Sequence, residues 1–176
     1  DLFNQVKVEH ASMCMLKELD CRYAPSRVAP TRVLPTDNGD VLLVERFDLA
    51  DSLNEKKAQP SHHFISANAL INMSRINDKS LVQQYSYGFT AEFLLRHSAD
   101  PEDAIELYRR MAFNVFIGNT DDHTRNHACL YSFADRNWRL SPAYDVLPVN
   151  NSGKHSLGIG EQGRFGTEEN LLSHST

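Results

Sequence analysis

The stretch FIGNTDDHTRNHA, residues 116–128, places two aspartates, two histidines and two asparagines within nine positions, directly behind an apolar run. Two chemistries could use that set. Carboxylate and amide oxygens suit Mg²⁺, a hard ion that takes a few protein oxygens and leaves its other positions to water or phosphate. Asp121 and Asn126 supply such oxygens, and Asp145 in SPAYD supplies a third if the chain returns alongside. Imidazoles suit a first-row metal. His123 and His127 are four apart, on one face if the segment is helical, and with Asp122 or Asp145 they could hold zinc for a hydrolase. The plainer reading makes the aspartates and asparagines turn and cap residues, His123 a ring bonded within the loop and His127 a surface or core residue.

Order separates these readings. A helix ending at Gly118, an Asp, an Asn five positions later, a short hairpin and then another Asp is the order protein kinases use. There the first Asp orients and deprotonates the acceptor hydroxyl, while the Asn and the later Asp hold metal. The five-residue offset favours Asp121 over Asp122 for the first role. A bare His-x-x-x-His pattern is common by chance. Gly158, Gly160 and Gly163 in GIGEQG spell Gly-x-Gly-x-x-Gly, but the pattern falls after the proposed metal residues instead of opening a nucleotide fold, so it is read as a flexible loop.

These residues need elements to place them. DPEDAIELYRRMAFNVFIG predicts the clearest helix, with Asp100 as N-cap, Pro101 at its first position, Glu102 and Asp103 at its positive end and Gly118 as C-terminal cap. Its second half, MAFNVFI, is apolar on nearly every side and should lie deep. ACLYSF and NWRL predict a hairpin that brings Asp145 back to the motif. Upstream, residues 6–19 predict a helix with Val8, Met15 and Leu19 on one side, Ser12 beside them and Glu9 in its first turns. Strands near 32–34 and at 41–47 predict a hairpin around the Asn-Gly pair. Residues 50–63 read as a polar connecting loop. Ser66, then Asp78 or Ser80, then Thr90 are expected to cap the helices that follow.

Composition narrows the class. With 176 residues, 41% of them hydrophobic and 23% charged, the chain can build one core of ordinary size. A net charge of -5 argues against a phosphate-gripping surface, so DNA contact would have to run through a partner. Cys14, Cys21 and Cys129 lack metal-ligand spacing, and there is neither a signal pattern nor an apolar run near bilayer length. A cytoplasmic protein with no membrane association is expected. The first residue is not Met and the last helix signal, at Thr167 and Glu168, is followed by only a few residues, so both ends are expected to be cuts through a longer protein.

The blocks VEHASMCMLKEL, LLVERFD, LYRRMAFNVFIGNTDDHTRNHACL and WRLSPAYDVLP resemble, in order, those of the HipA family, serine/threonine kinases that act as toxins of bacterial toxin-antitoxin systems. The resemblance implies an α+β, protein-kinase-like fold: a partial mixed N-lobe and hinge over residues 1–50, and a mainly helical C-lobe with a small catalytic hairpin over 51–176. It implies ATP and Mg²⁺, with Asp121 catalytic and Asn126 and Asp145 as metal ligands. Glu45, Arg46 and Phe47 match the hinge that meets adenine, Asp48 a residue near the ribose, and Glu9 a helix glutamate that faces the ATP-binding lysine. His123 matches a position in the catalytic loop, and His123 and Asp122 are expected to support it. A HipB-like helix-turn-helix antitoxin is the implied partner, with DNA met only through it, and a translation component such as an aminoacyl-tRNA synthetase the implied substrate. The family's lysine-bearing strand and phosphate-covering loop, with its autophosphorylated serine, would lie before Leu2, and Lys7 is a poor substitute. These 176 residues alone are therefore expected to be weak or inactive, which robust turnover of ATP would refute. Two other classes stay open: a binding module that works through antitoxin and operator, and the metal hydrolase.

Overall fold

Asn4 starts the first helix by accepting a hydrogen bond from the Lys7 backbone N–H at 3.1 Å, which satisfies one of the free donors of the first turn. This computed structural model describes residues 3–19, 26–49, 61–74, 85–149 and 153–173. Helix α1, Gln5–Glu18, buries Ser12, Met13 and Leu16. The expected face is thus turned by about one residue: Met15 and Leu19 are exposed. The short Ser12 side chain sits in the packed stripe, a place the hydrophobic pattern alone assigns to larger residues.

Strands β1, Thr31–Thr36, and β2, Gly39–Val44, form the expected antiparallel hairpin. Thr36 pairs with Gly39, so the two-residue turn is Asp37-Asn38, and Gly39, at φ 115°, follows the turn. The second strand stops at Val44, short of the predicted 47, and releases Glu45 to Asp48 as irregular backbone tied to Pro30 O through the Glu45 N–H at 2.9 Å. Lys7 Nζ lies 3.0 Å from Asp40 Oδ2 on this hairpin, which takes it away from Glu9.

The predicted loop ends in a strand, β3, His62–Ser66, while residues 50–60 lie outside the described set. Ser66 caps α2, Ala67–Ser74, accepting from Ala69 N at 3.2 Å. The cap expected at Asp78 or Ser80 falls outside the described residues. Helix α3, Tyr87–His97, is capped by Ser86, not by Thr90, which is buried one turn inside. Helix α4, Glu102–Ile117, starts with Asp100 Oδ1 accepting from Glu102 N at 3.0 Å and ends at Gly118 in the left-handed region, φ 71°. Its second half is deep as expected except at Phe116, which is 81% exposed.

Strands β4, Ala128–Ser132, and β5, Asn137–Leu140, make the predicted hairpin, and β3 joins it to give an antiparallel sheet in the order β3-β4-β5. A short helix, α5, Glu168–Leu172, follows. GIGEQG does not hang free. Gly158 exchanges backbone bonds with Tyr85 and Tyr87, Leu157 and Ile159 are buried, and a Cβ at Gly160 would overlap the Asn170 carbonyl.

Helix α4 serves two apolar clusters. Leu107 and Met111 join Tyr87, Leu94, Cys129, Leu140, Leu157 and Ile159; Phe113 joins Met13, Leu16, Ala29, Ala143 and Val146. Each fully buried large side chain contributes roughly 1.5–3 kcal/mol. An ionic net lies along the same helix: Arg110 Nη1 donates to Ser141 O at 2.9 Å, its Nε to Glu106 at 2.8 Å, and Asp103 accepts from Arg139 and Arg27. The first half of α4, from Asp103 to Arg110, is therefore fixed to residues 139–141 and to Arg27. No described helix is long and apolar enough to cross a membrane.

Candidate functional site

Residues 118–127 leave α4 as a series of turns, not as a helix. The premise that set His123 and His127 on one helical face therefore fails. His127 Nε2 lies 2.8 Å from Asp122 Oδ2, both side chains being buried, and Tyr87 Oη donates to the same oxygen. Asn114 Nδ2 donates to Tyr87 Oη at 3.3 Å, and Asn119 Nδ2 to Asn114 Oδ1 at 3.1 Å. On the other side the first turn of α2 hooks the loop, with Ala67 N donating to His127 O at 2.8 Å and Asn68 N to Thr124 O at 3.0 Å. Asp122 thus faces inward, and its neighbour Asp121 is exposed.

Asp145 returns to this loop. Tyr144 Oη donates to Arg125 O at 2.7 Å, and Asp145 itself accepts from the Asn126 side chain. Asp145 has φ 58°, a left-handed conformation that Asp tolerates better than most residues and that is common where function fixes a side chain. Burial pushes its carboxyl above the ordinary range, and the charges of Asp122 and Asp121 add to this; His123 and the Asn126 bond oppose it. Burial and then the Asp145 charge raise the Glu9 carboxyl in the same way, so α1 delivers Glu9 towards this cluster.

Such crowding of negative charge favours a cation. Among the described residues no three His, Cys, Asp or Glu side chains converge to hold a metal. The donors brought together are one carboxylate and one amide, Asp145 and Asn126, with Asp121 close by. A pair of protein oxygens is what Mg²⁺ takes when phosphates and water complete its shell. Cys129 is buried, and burial pushes its thiol up to about 12.

Next to Asp145 lies a cleft of about 330 Å³ lined by Val44, Glu45, Arg46, Phe47, Asp48, Phe64 and Tyr144. Its rings lie in series, tilted to one another: Phe47 is 5.6 Å from Tyr144 at 32° and 6.3 Å from Phe64 at 36°, centroid to centroid. Arg46 Nε donates to Asp48 Oδ1 at 2.7 Å, and this bond with the guanidinium charge holds the Asp48 carboxyl below its ordinary range. An apolar slot with backbone at its edge suits a flat heterocycle.

Phe64 and Tyr144 in the cleft, and Tyr87 and Asn114 beneath the loop, have no role in the sequence reading. Asn114 had one signal, being the only polar residue of MAFNVFI. Tyr87 had none, because its contact with Asp122 spans 35 positions.

Residues 1–173 match the family model of the HipA-like C-terminal domain. A Haemophilus influenzae protein provisionally named a kinase is 26% identical over 149 residues, covering 81% of this chain and 40% of its own length. The structure is similar to HipA of Shewanella oneidensis MR-1, solved with HipB and its operator DNA: TM-score 0.72, 17% identity, 96% of this chain and 41% of that one. It is also similar to the Helicobacter pylori proinflammatory kinase CtkA, with TM-score 0.60 and 14% identity over 82% of this chain and 48% of that one. The fold is kinase-like, and the chain spans less than half the length of each of these proteins.

Proposed function

The chain belongs to the HipA-like C-terminal domain family, and from that premise we propose that it carries the catalytic loop and metal residues of an ATP- and Mg²⁺-dependent kinase acting on serine or threonine of a protein. The supporting observation is the placement of Asp121, Asn126 and Asp145 together beside an aromatic cleft bordered by residues 45–48. Asp121, exposed and next to a buried anchor, accepts the proton of the acceptor hydroxyl. Asn126 and Asp145 hold the metal, which when bound supplies charge neutralisation to the phosphates. Phe47, Phe64 and Tyr144 hold the adenine, with Glu45 and Arg46 at its edge and Asp48 towards the ribose. Glu9 orients the phosphate-binding lysine that the family resemblance implies, and His123 offsets the charge on Asp145. The work is positioning and electrostatics, which needs no covalent nucleophile.

The same reading divides the chain into a partial N-lobe with hinge, 1–50, and a helical lobe, 51–176. It makes the protein the toxin of a cytoplasmic toxin-antitoxin pair, with a HipB-like antitoxin as its route to DNA. The structural neighbour was solved with such a partner, and a net charge of -5 agrees with indirect contact.

Asp145→Asn tests the metal assignment. Removing the charge relieves repulsion with Glu9, Asp121 and Asp122, and Asn also accepts a positive φ. Without divalent ions the variant is expected to melt no lower than the wild type. In calorimetric titrations of the intact protein it is expected to lose the gain in ATP affinity that Mg²⁺ gives the wild type. A lower melting temperature with the Mg²⁺ effect intact would assign Asp145 a structural role.

A further inference from the structure

We infer that Tyr87 is a positioning residue for the loop that carries Asp121, acting through Asp122, an inference that rests on the phosphoryl-transfer reading of that loop. Tyr87 is 4% exposed and opens α3, where Ser86 caps the helix and fixes its first turn. Its hydroxyl stands at a junction of three elements. It donates to Asp122 in the loop and accepts from Asn114 of α4, while its ring meets His127 edge-on with centroids 5.3 Å apart. His127 approaches the same Asp122 oxygen at 2.8 Å, and Asn119 at the start of the loop bonds back to Asn114 at 3.1 Å. One carboxylate oxygen thus gathers donors from α3 and from the far end of the loop.

Burial, then the charge and hydrogen bond of Asp122, push the Tyr87 phenol well above its ordinary value, so the group remains a donor at physiological pH. Most buried hydroxyls and carboxylates are bonded, because each lost partner leaves a desolvated polar atom. Asp121 and Asp122 are adjacent. Fixing Asp122 inward therefore fixes the direction in which Asp121 leaves the backbone, and a misplacement of about 1 Å in a catalytic group can cost about 100-fold in rate.

Tyr87 also belongs to the apolar cluster with Leu107 and Met111, so the test must spare the ring. Tyr87→Phe keeps the ring and removes only the hydroxyl. In the intact protein, kcat for phosphoryl transfer is expected to fall about 10–100-fold, with the KM for ATP within about twofold of wild type. Asp122→Asn is expected to fall similarly, and the double variant no further than the worse single, as for two residues acting through one contact. Amide hydrogen exchange of residues 119–127 is expected to quicken at least about tenfold in Tyr87→Phe, with α3 and α4 unchanged. Wild-type kcat, multiplying losses or unchanged exchange in the loop would each overturn the role. If the wild type transfers no phosphate, exchange alone decides: faster loop exchange upholds Tyr87 while the kinase reading falls, and unchanged exchange overturns Tyr87 as well.

Discussion

Asp121→Asn in the intact protein is expected to lower phosphoryl transfer by about 1,000-fold while shifting the melting temperature by no more than about 2 °C. The two halves of this expectation come from the same geometry. Asp121 is exposed, and substitution of such a residue usually changes stability by less than about 0.5 kcal/mol. Its neighbour Asp122 is 2% exposed and bonded to Tyr87 and His127, so loss of that carboxylate should disturb loop and fold together. A pair of adjacent aspartates, one all chemistry and one all support, is a sharp contrast to measure. Steady-state transfer assays with thermal melts would show it. Retained activity in Asp121→Asn would remove that residue as the base.

Asp103→Ala is expected to be the most damaging single change to the fold, at about 3 kcal/mol. Asp103 is 0% exposed and accepts from Leu140 N at 2.8 Å, Arg139 Nε at 3.1 Å, Ser98 Oγ at 2.5 Å and Arg27. The guanidinium groups of Arg27 and Arg139 are partly exposed and can regain water, which sets the lower end of the range for breaking a buried pair. The Leu140 N–H lies deeper and loses its acceptor, while the Ser98 hydroxyl keeps Trp138 O at 3.2 Å. Burial pushes the Asp103 carboxyl up, but the bonds from Arg139, Ser98 and Arg27 outweigh it and leave it lowered. Its contribution is thus fully present above the ordinary Asp value of about 3.9 and is lost as pH falls through the lowered one. Urea unfolding of wild type and Asp103→Ala should therefore show a gap that is flat above about pH 5 and narrows in acid. A gap below about 1 kcal/mol at neutral pH, or one that widens in acid, would contradict the assignment.

Local signals in the sequence were followed closely by the fold. The Asp100-Pro101 start and Gly118 stop of α4 are written in the residues that make them, as are the two hairpins that use β1 with β2 and β4 with β5. Non-local choices were not visible. Strand β3 exists because HHFIS pairs with β4, more than sixty positions on, and nothing in its composition announces a strand. Ser86 displaced Thr90 as a cap because Thr90 packs inward. The rotation of α1 reflects a buried face that must take in Ser12 and send Glu9 towards Asp145.

The candidate site divides in the same manner. Asp121, Asn126 and Asp145 could be picked out because their order along the chain is itself the signal, and the structure brings the last two into contact with Asp121 nearby. Glu45 to Asp48 could be picked out as an edge, but Phe64 and Tyr144 face them only after β3 and the segment after β5 have folded back. Tyr87 and Asn114 bear on Asp122 through side chains from two helices, a relation that spacing cannot encode.

The central claim is that this loop and Asp145 transfer phosphate. The most direct test supplies the intact protein with ATP labelled at the γ-phosphate, Mg²⁺ and a protein mixture containing acceptors, and follows label on serine and threonine. Label that requires Mg²⁺ and is lost in Asp121→Asn and Asp145→Asn is the predicted result; wild-type incorporation no greater than that of the two variants would contradict it.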